Sequence, residues 1–130
     1  MSRIVLDTSA LLAILHEEPG ADTVTKRLES LDTFAMSTVN ASEAYGKLLA
    51  RGVGSAEAWE AVTASVPLLE PFDDEQARIT GQLLPRTRSL GLSLGDRACL
   101  ALAIVLKAPV YTADRAWKTL KVGVAIHVIR

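Results

Sequence analysis

The order of apolar runs along the chain predicts an α/β fold, with a central parallel sheet of about five strands flanked on both sides by helices. Three observations predict it. Short apolar segments alternate with longer segments of helical periodicity. Parallel neighbours need crossover connections, so this alternation marks a parallel sheet with both faces covered. Finally, no repeat, low-complexity stretch or Pro/Gly/Ser-rich linker divides the 130 residues, a length suited to one domain around one core.

The elements follow in order. Ile4-Val5-Leu6 reads as a buried strand, and a helix from about Ser9 to Glu18 is stopped by Pro19-Gly20. Ala21 to Leu31 reads as a second helix and Thr33 to Thr38 as a short strand. A third helix carries Ala41, Ala44, Tyr45, Leu48 and Leu49 at helical spacing and closes at Gly52. Ser55 to Val66 is a fourth. Prolines flank residues 67–71, which marks a short edge strand, and Asp73 opens a helix running towards Thr87. After the loop 89–92, Leu94 to Lys107 is a strongly apolar helix ended by Pro109. Val110-Tyr111-Thr112 is a strand, Ala116 to Leu120 a short helix, and Val122 to Ile129 the last strand.

Composition excludes several classes of function. Although 49% of the residues are hydrophobic, no run approaches the ~18 uncharged apolar residues of a spanning helix. Arg3 arrives before any signal-peptide apolar region forms, so a cytoplasmic protein is expected. The single cysteine, Cys99, sits in an apolar helix and is expected to pack in the core. There is no Gly-x-Gly-x-x-Gly, no phosphate-binding Gly-Lys-Ser/Thr loop and no nucleophile elbow. His16 and His127 lie far apart, with no Cys or His at ligand spacing, which argues against zinc.

The net charge of −1 conceals an asymmetry. Residues 1–85 carry six Lys and Arg against thirteen acids, whereas residues 86–130 carry eight against two. Basic clustering favours a polyanionic partner if the fold keeps it together. The two acids inside the basic segment are Asp96 and Asp114.

Asp7 ends the first strand and Asp114 lies two residues past the fourth, at the carboxyl ends where open α/β sheets collect function. Glu43 and Asp96 fall near the starts of two helices that can begin at the same edge. Each acid also has a structural explanation. Asn40-Ala41-Ser42-Glu43 and Ser93-Leu94-Gly95-Asp96 resemble capping boxes, and Asp7 and Asp114 are placed to cap the helices that follow them. Four converging carboxylates would repel one another unless a cation or a proton intervenes. Oxygen-only donors suit Mg²⁺ or Mn²⁺.

Four motifs, in order and at spacing, carry a resemblance over essentially the whole chain. They are Val5-Leu6-Asp7-Thr8-Ser9-Ala10, Ser42-Glu43, Leu94-Gly95-Asp96-Arg97-Ala98-Cys99-Leu100-Ala101-Leu102-Ala103, and Thr112-Ala113-Asp114-Arg115-Ala116-Trp117. The chain resembles PIN-domain ribonucleases, and specifically VapC-type toxins of toxin–antitoxin pairs. The resemblance implies a three-layer PIN-like fold and an acidic Mg²⁺ site cutting single-stranded RNA. It implies Asp7 and Asp96 as principal metal ligands, Glu43 and Asp114 completing the acidic set, and Thr112 supporting it with its hydroxyl. Ser9 is either a further support or an ordinary helix cap. One ion or two stays open. The implied partners are a VapB-like antitoxin and a second copy of the chain in a homodimer, without a membrane. Arg97, Arg115, Lys118 and Lys121 are candidates for flanking phosphates or for solvated helix faces, and Trp117, Tyr45 and Trp59 for base stacking or packing. Two other classes compete: a non-catalytic RNA- or protein-binding module, in which the acids are only caps, and a phosphotransfer domain with Asp7 as acceptor. Metal-dependent turnover separates the first, and an aspartyl-phosphate the second.

Overall fold

The computed structural model describes residues 2–29 and 32–130. Five strands, β1 (Arg3–Leu6), β2 (Thr33–Ser37), β3 (Leu68–Glu70), β4 (Val110–Thr112) and β5 (Ile126–Val128), form one sheet in the order β3-β2-β1-β4-β5. Every pairing is parallel. The helices are α1 (Thr8–Leu15), α2 (Ala21–Glu29), α3 (Thr38–Ala50), α4 (Ser55–Ser65), α5 (Asp74–Gln82), α6 (Leu84–Thr87) and α7 (Leu94–Leu106).

The register shows why this sequence makes two cores, one on each face of the sheet, and not the single core its length suggests. One row across the sheet reads Leu68, Ala35, Val5, Val110, Ile126. These side chains join Cys99, Leu100, Leu102 and Ala103 of α7 and Trp117. In the next row, Leu69, Met36, Leu6 and Tyr111 face the other way and pack with Leu11 of α1, Val24 of α2, Leu48 of α3 and Val62 of α4. Alternation of side chains along each strand turns one apolar run into both faces of a sheet. The third row is polar: Ser37 beside Glu70, and Thr112 beside Val128. Asp7, one residue past the end of β1, continues that row onto the α7 side.

Several boundaries differ from those the sequence predicts. α1 stops at Leu15, with His16 as its C-cap, ahead of the Pro19-Gly20 breaker. Gly20 has φ +97°, and a Cβ there would lie 2.5 Å from the Ile129 carbonyl, so this turn requires glycine. The expected last residues of the second helix, 30 and 31, lie outside the described residues. The expected helix from Asp73 to Thr87 breaks at Leu83 because Pro85 cannot donate inside a helix; it occupies the first turn of α6 instead. The last strand is confined to Ile126–Val128, since residues 122–125 bend through Gly123 at φ +91° while Val122 plugs the α7-side core.

Leu11, Leu12, Ile14 and Leu15 run around most of α1, more apolar surface by pattern than one small core needs, and the chain itself covers most of it. Leu11 and Leu12 are buried, and Ile14 and Leu15 are partly buried against the same core. α7 is buried over most of its circumference, from Ala98 through Ala103. Leu100→Ala should therefore lower unfolding free energy by about 3 kcal/mol, read from urea denaturation, through lost transfer energy and an unfilled cavity.

Candidate active site

The carboxyl ends of β1 and β4 meet where the strand order reverses, since β1 connects outward to β2 while the chain later returns to β4 on its other side. Such a switch point opens a crevice beyond the strands. Asp7 stands at this point, 4% exposed. Its Oδ1 accepts from the Ala10 amide at 2.8 Å, which makes it the N-cap of α1. Its Oδ2 accepts from the Thr112 hydroxyl at 2.6 Å, and the Ser9 hydroxyl lies 2.7 and 2.9 Å from the two oxygens. Ser9 Oγ also accepts from the Ala113 amide at 2.9 Å. Ser9 is thus no cap; its hydroxyl ties Asp7 to the segment after β4.

Burial pushes the Asp7 carboxyl up to about 6, the hydrogen bonds from Thr112, Ala10 and Ser9 oppose this, and the Asp96 charge adds to the rise. Asp96 comes from the first turn of α7. There the predicted capping box forms: Ser93 Oγ accepts from the Asp96 amide at 3.1 Å, and Asp96 Oδ2 accepts from the Ser93 amide at 2.9 Å. Asp96 Oδ1 has no protein partner among the described residues.

Glu43 corrects the sequence reading. Its helix begins at Thr38 with Ser37 as N-cap, so Glu43 lies in the second turn and Asn40 is no cap. Instead, Asn40 is buried at 1% exposure and its Nδ2 donates to Glu43 Oε1 at 3.1 Å and to the Gly95 carbonyl at 3.0 Å. Thr8 Oγ1 donates to the same Glu43 oxygen at 2.9 Å. The Glu43 carboxylate rests against Gly95, where a Cβ would lie 2.4 Å from Oε1. Glu43, Asp7 and Asp96 all act electrostatically on Cys99, whose thiol is raised well above its usual range by burial first and by these charges next. Cys99 itself is core, as expected.

Asp114 stands further out. Its amide donates to Thr112 Oγ1 at 3.0 Å, but its exposed carboxylate caps the 3₁₀ turn Arg115–Thr119 by accepting from Ala116 at 2.9 Å. The two ion pairs among the described residues, Arg27–Asp32 and Arg130–Glu18, involve none of the four acids. Asp96 acts electrostatically on Asp7, and neither is paired with a protein cation among the described residues. Among the described residues no three His, Cys, Asp or Glu side chains are placed to hold one metal ion.

Sequence reasoning missed Thr8, Asn40 and Gly95 as supports. Gly95 carried a usable signal, because glycine inside a strong helix costs ~1 kcal/mol against alanine and points to a close approach. Of the cations considered for phosphates, Arg97 is partly buried and donates to the Thr80 carbonyl at 3.0 Å, bracing α7 against α5. Trp117 is buried core, while Tyr45 meets the 44% exposed Trp59 edge-on at 5.4 Å.

An open parallel sheet with carboxylates gathered at its switch point places the chain among α/β proteins with an acidic site. Residues 4–122 match the PIN domain, and the chain belongs to that family. No curated protein matches the sequence. Among solved structures, the fold is similar to VapBC2 from Rickettsia felis (15% identity, 95% of this chain and 96% of that one, TM-score 0.73). VapBC-1 from nontypeable Haemophilus influenzae is similar to the same degree (18%, 95% and 96%, TM-score 0.73). VapC20 from Mycobacterium tuberculosis follows (20%, 93% and 98%, TM-score 0.68). The fold is that of VapC-type PIN domains.

Because the folded-state pKa of Asp7 is raised, the folded protein keeps this proton after the unfolded chain has lost it. Stability should fall as pH rises from about 4 to about 6, by an amount on the order of 3 kcal/mol, and stay reduced above that. In chelator, Asp7→Asn should thus raise the melting temperature at pH 8, with the advantage vanishing near pH 4, since asparagine keeps the acceptor for the Ala10 amide. An advantage independent of pH would locate the effect outside Asp7 ionisation.

Proposed function

We propose that this chain is a metal-dependent endoribonuclease that cuts single-stranded RNA and acts as the toxin of a toxin–antitoxin pair. The observation that carries the reading is the placing of Asp7 and Asp96 at the switch point within electrostatic reach of each other and without a cation partner among the described residues, with Glu43 held against Gly95 by Thr8 and Asn40. Membership of the PIN family and the likeness to VapC20, described as cleaving the sarcin–ricin loop, support a nuclease and an RNA substrate. Every donor in the set is a carboxylate or hydroxyl oxygen, which fits a hard cation. Mg²⁺ commonly takes only one or two protein carboxylates and fills its remaining positions with water and substrate phosphate, so Asp7 and Asp96 suffice; Mn²⁺ is a plausible substitute.

When bound, the cation supplies positive charge to the scissile phosphate and acidifies water near neutral pH. The chain's own groups do the rest. Thr112 and Ser9 fix the Asp7 carboxylate, and the Ser93 cap leaves Asp96 Oδ1 open. Glu43 Oε1 is saturated by Thr8 and Asn40, which leaves Oε2 to accept a proton from the attacking water. Asp114, exposed at the rim, adds negative charge that orders water at the mouth of the site.

The antitoxin proposal rests on the VapBC complexes similar in fold. The homodimer and antitoxin surface is placed on α3 and α4, where Leu49 and Trp59 remain 38% and 44% exposed. Light scattering should give a mass near twice 13.9 kDa, and co-expression with the neighbouring small reading frame should suppress RNA cleavage.

Purified protein should cleave single-stranded RNA only with Mg²⁺ or Mn²⁺, and Asp96→Asn should lower the rate at least a hundredfold. Either metal should raise the melting temperature, and the double variant Asp7→Asn/Asp96→Asn should lose that rise. Gly95→Ala should push the Glu43 carboxylate off Thr8 and Asn40, so that lost hydrogen bonds of about 1 kcal/mol each outweigh the ~1 kcal/mol gain in helix propensity, and should reduce cleavage at least tenfold. Undiminished cleavage in Gly95→Ala would remove Glu43 from the site.

A further inference from the structure

On the sheet face opposite the Asp7 and Thr112 side chains, a cleft of about 710 Å³ opens over β4 and β5, and nothing in the proposed reaction uses it. Its floor is Tyr111 and His127, whose rings stack at 4.7 Å and 27°. Tyr111 is buried and His127 exposed, so one face of the imidazole pairs with tyrosine. The rim carries Arg115, Lys118 and Arg130, and no acid lines the cleft. Arg130 is engaged with Glu18 at 3.3 Å. Arg115 Nε donates to the Arg130 carbonyl at 3.2 Å, which steadies the guanidinium while its two terminal nitrogens have no protein partner among the described residues. Lys118, on the same 3₁₀ turn, is exposed and without an ion pair there.

Chain adjacency joins the cleft to the acids. Tyr111 immediately precedes Thr112, whose hydroxyl holds Asp7, and Arg115 immediately follows Asp114. The basic excess of residues 86–130 is thereby partly explained, since three of its eight cations gather here. We propose that this cleft is a nucleotide subsite for the strand flanking the cut, with a phosphate between Arg115 and Lys118 and an unpaired base over His127. The proposal rests on the RNA-cleaving reading above. Arg115 and Lys118, which form no ion pair among the described residues, beside a flat aromatic pair fit a phosphate and a base better than an apolar peptide, and stacking accepts any base.

The test uses the full chain carrying Asp96→Asn to suppress turnover, with a fluorescein-labelled single-stranded RNA followed by anisotropy over a range of salt. Arg115→Ala and Lys118→Ala should each reduce the log–log salt slope by about 0.7, the value for one phosphate contact on a single strand. His127→Ala should weaken binding about tenfold with the slope unchanged, and His127→Phe should restore it. A 4-thiouridine oligonucleotide should crosslink within residues 111–130. Wild-type affinity and slope in all three alanine variants, with crosslinks elsewhere, would overturn the subsite and leave the nuclease reading intact. Crosslinking in the cleft by RNA that the unsubstituted chain never cuts would keep the subsite and remove the nuclease. If the variants bind RNA normally but lose the neighbouring reading frame's protein, the cleft is a protein-docking face and the proposal fails.

Discussion

The hydrogen bond from Thr112 to Asp7, 2.6 Å long and fully inside the protein, is the constraint on which the rest of the site depends. It joins the ends of β1 and β4, neighbours in the sheet yet more than a hundred residues apart in the chain. It exists because both strands bury two apolar rows and then present a polar residue on the same face. Thr112 also accepts from the Asp114 amide, so one hydroxyl fixes a buried carboxylate and the start of the segment carrying the outer acid and the basic 3₁₀ turn. A buried carboxylate without such partners would be costly to ionise. With them it is only partly compensated, and its raised pKa records the remaining deficit.

α7 imposes the second constraint. It is apolar around most of its girth and must lie across the sheet, so its N-terminus is delivered to the carboxyl edge beside β1. Ser93 and Asp96 close that end with a reciprocal cap, and Gly95 between them leaves room for the Glu43 carboxylate. Asn40 spans the gap, donating to both α7 and Glu43. The site is therefore assembled from helix packing as much as from strand ends. Its weakest member by this measure is Asp114, tied in through its backbone alone.

Much of this was legible in the residues. Short apolar runs separated by amphipathic helices implied the parallel sheet, and proline-flanked residues 67–71 implied its edge. Asp7 and Asp114 were legible because strand ends are visible as the last apolar residue. Glu43 was harder: Asn40-Ala41-Ser42-Glu43 imitates a capping box, while the true cap, Ser37, lies three residues earlier. Local pattern cannot separate these, because the choice depends on Ser37 being the last residue of β2 and on Asn40 being buried against α7, a partner 55 positions away. The same limit applies to α1, whose apolar residues imply an exposed face by local pattern alone, whereas α2, α3 and α4 cover them.

Capping does not exclude a functional role for these acids. Asp7 and Asp114 each cap a helical segment, and Asp96 completes the reciprocal cap that Ser93 begins. A cap occupies one carboxylate oxygen with backbone amides, and an N-cap acid also faces the positive end of a helix dipole, which favours its charged form. Capping thus orients the group, leaves its second oxygen for other work, and supplies part of the compensation that clustered acids need. Asparagine can replace the cap but not the charge, so on the proposed reading stability and activity would separate at these positions. A site that draws its acids from helix starts gains rigid carboxylates without adding a lysine or arginine, whose charge would occupy the place a cation requires.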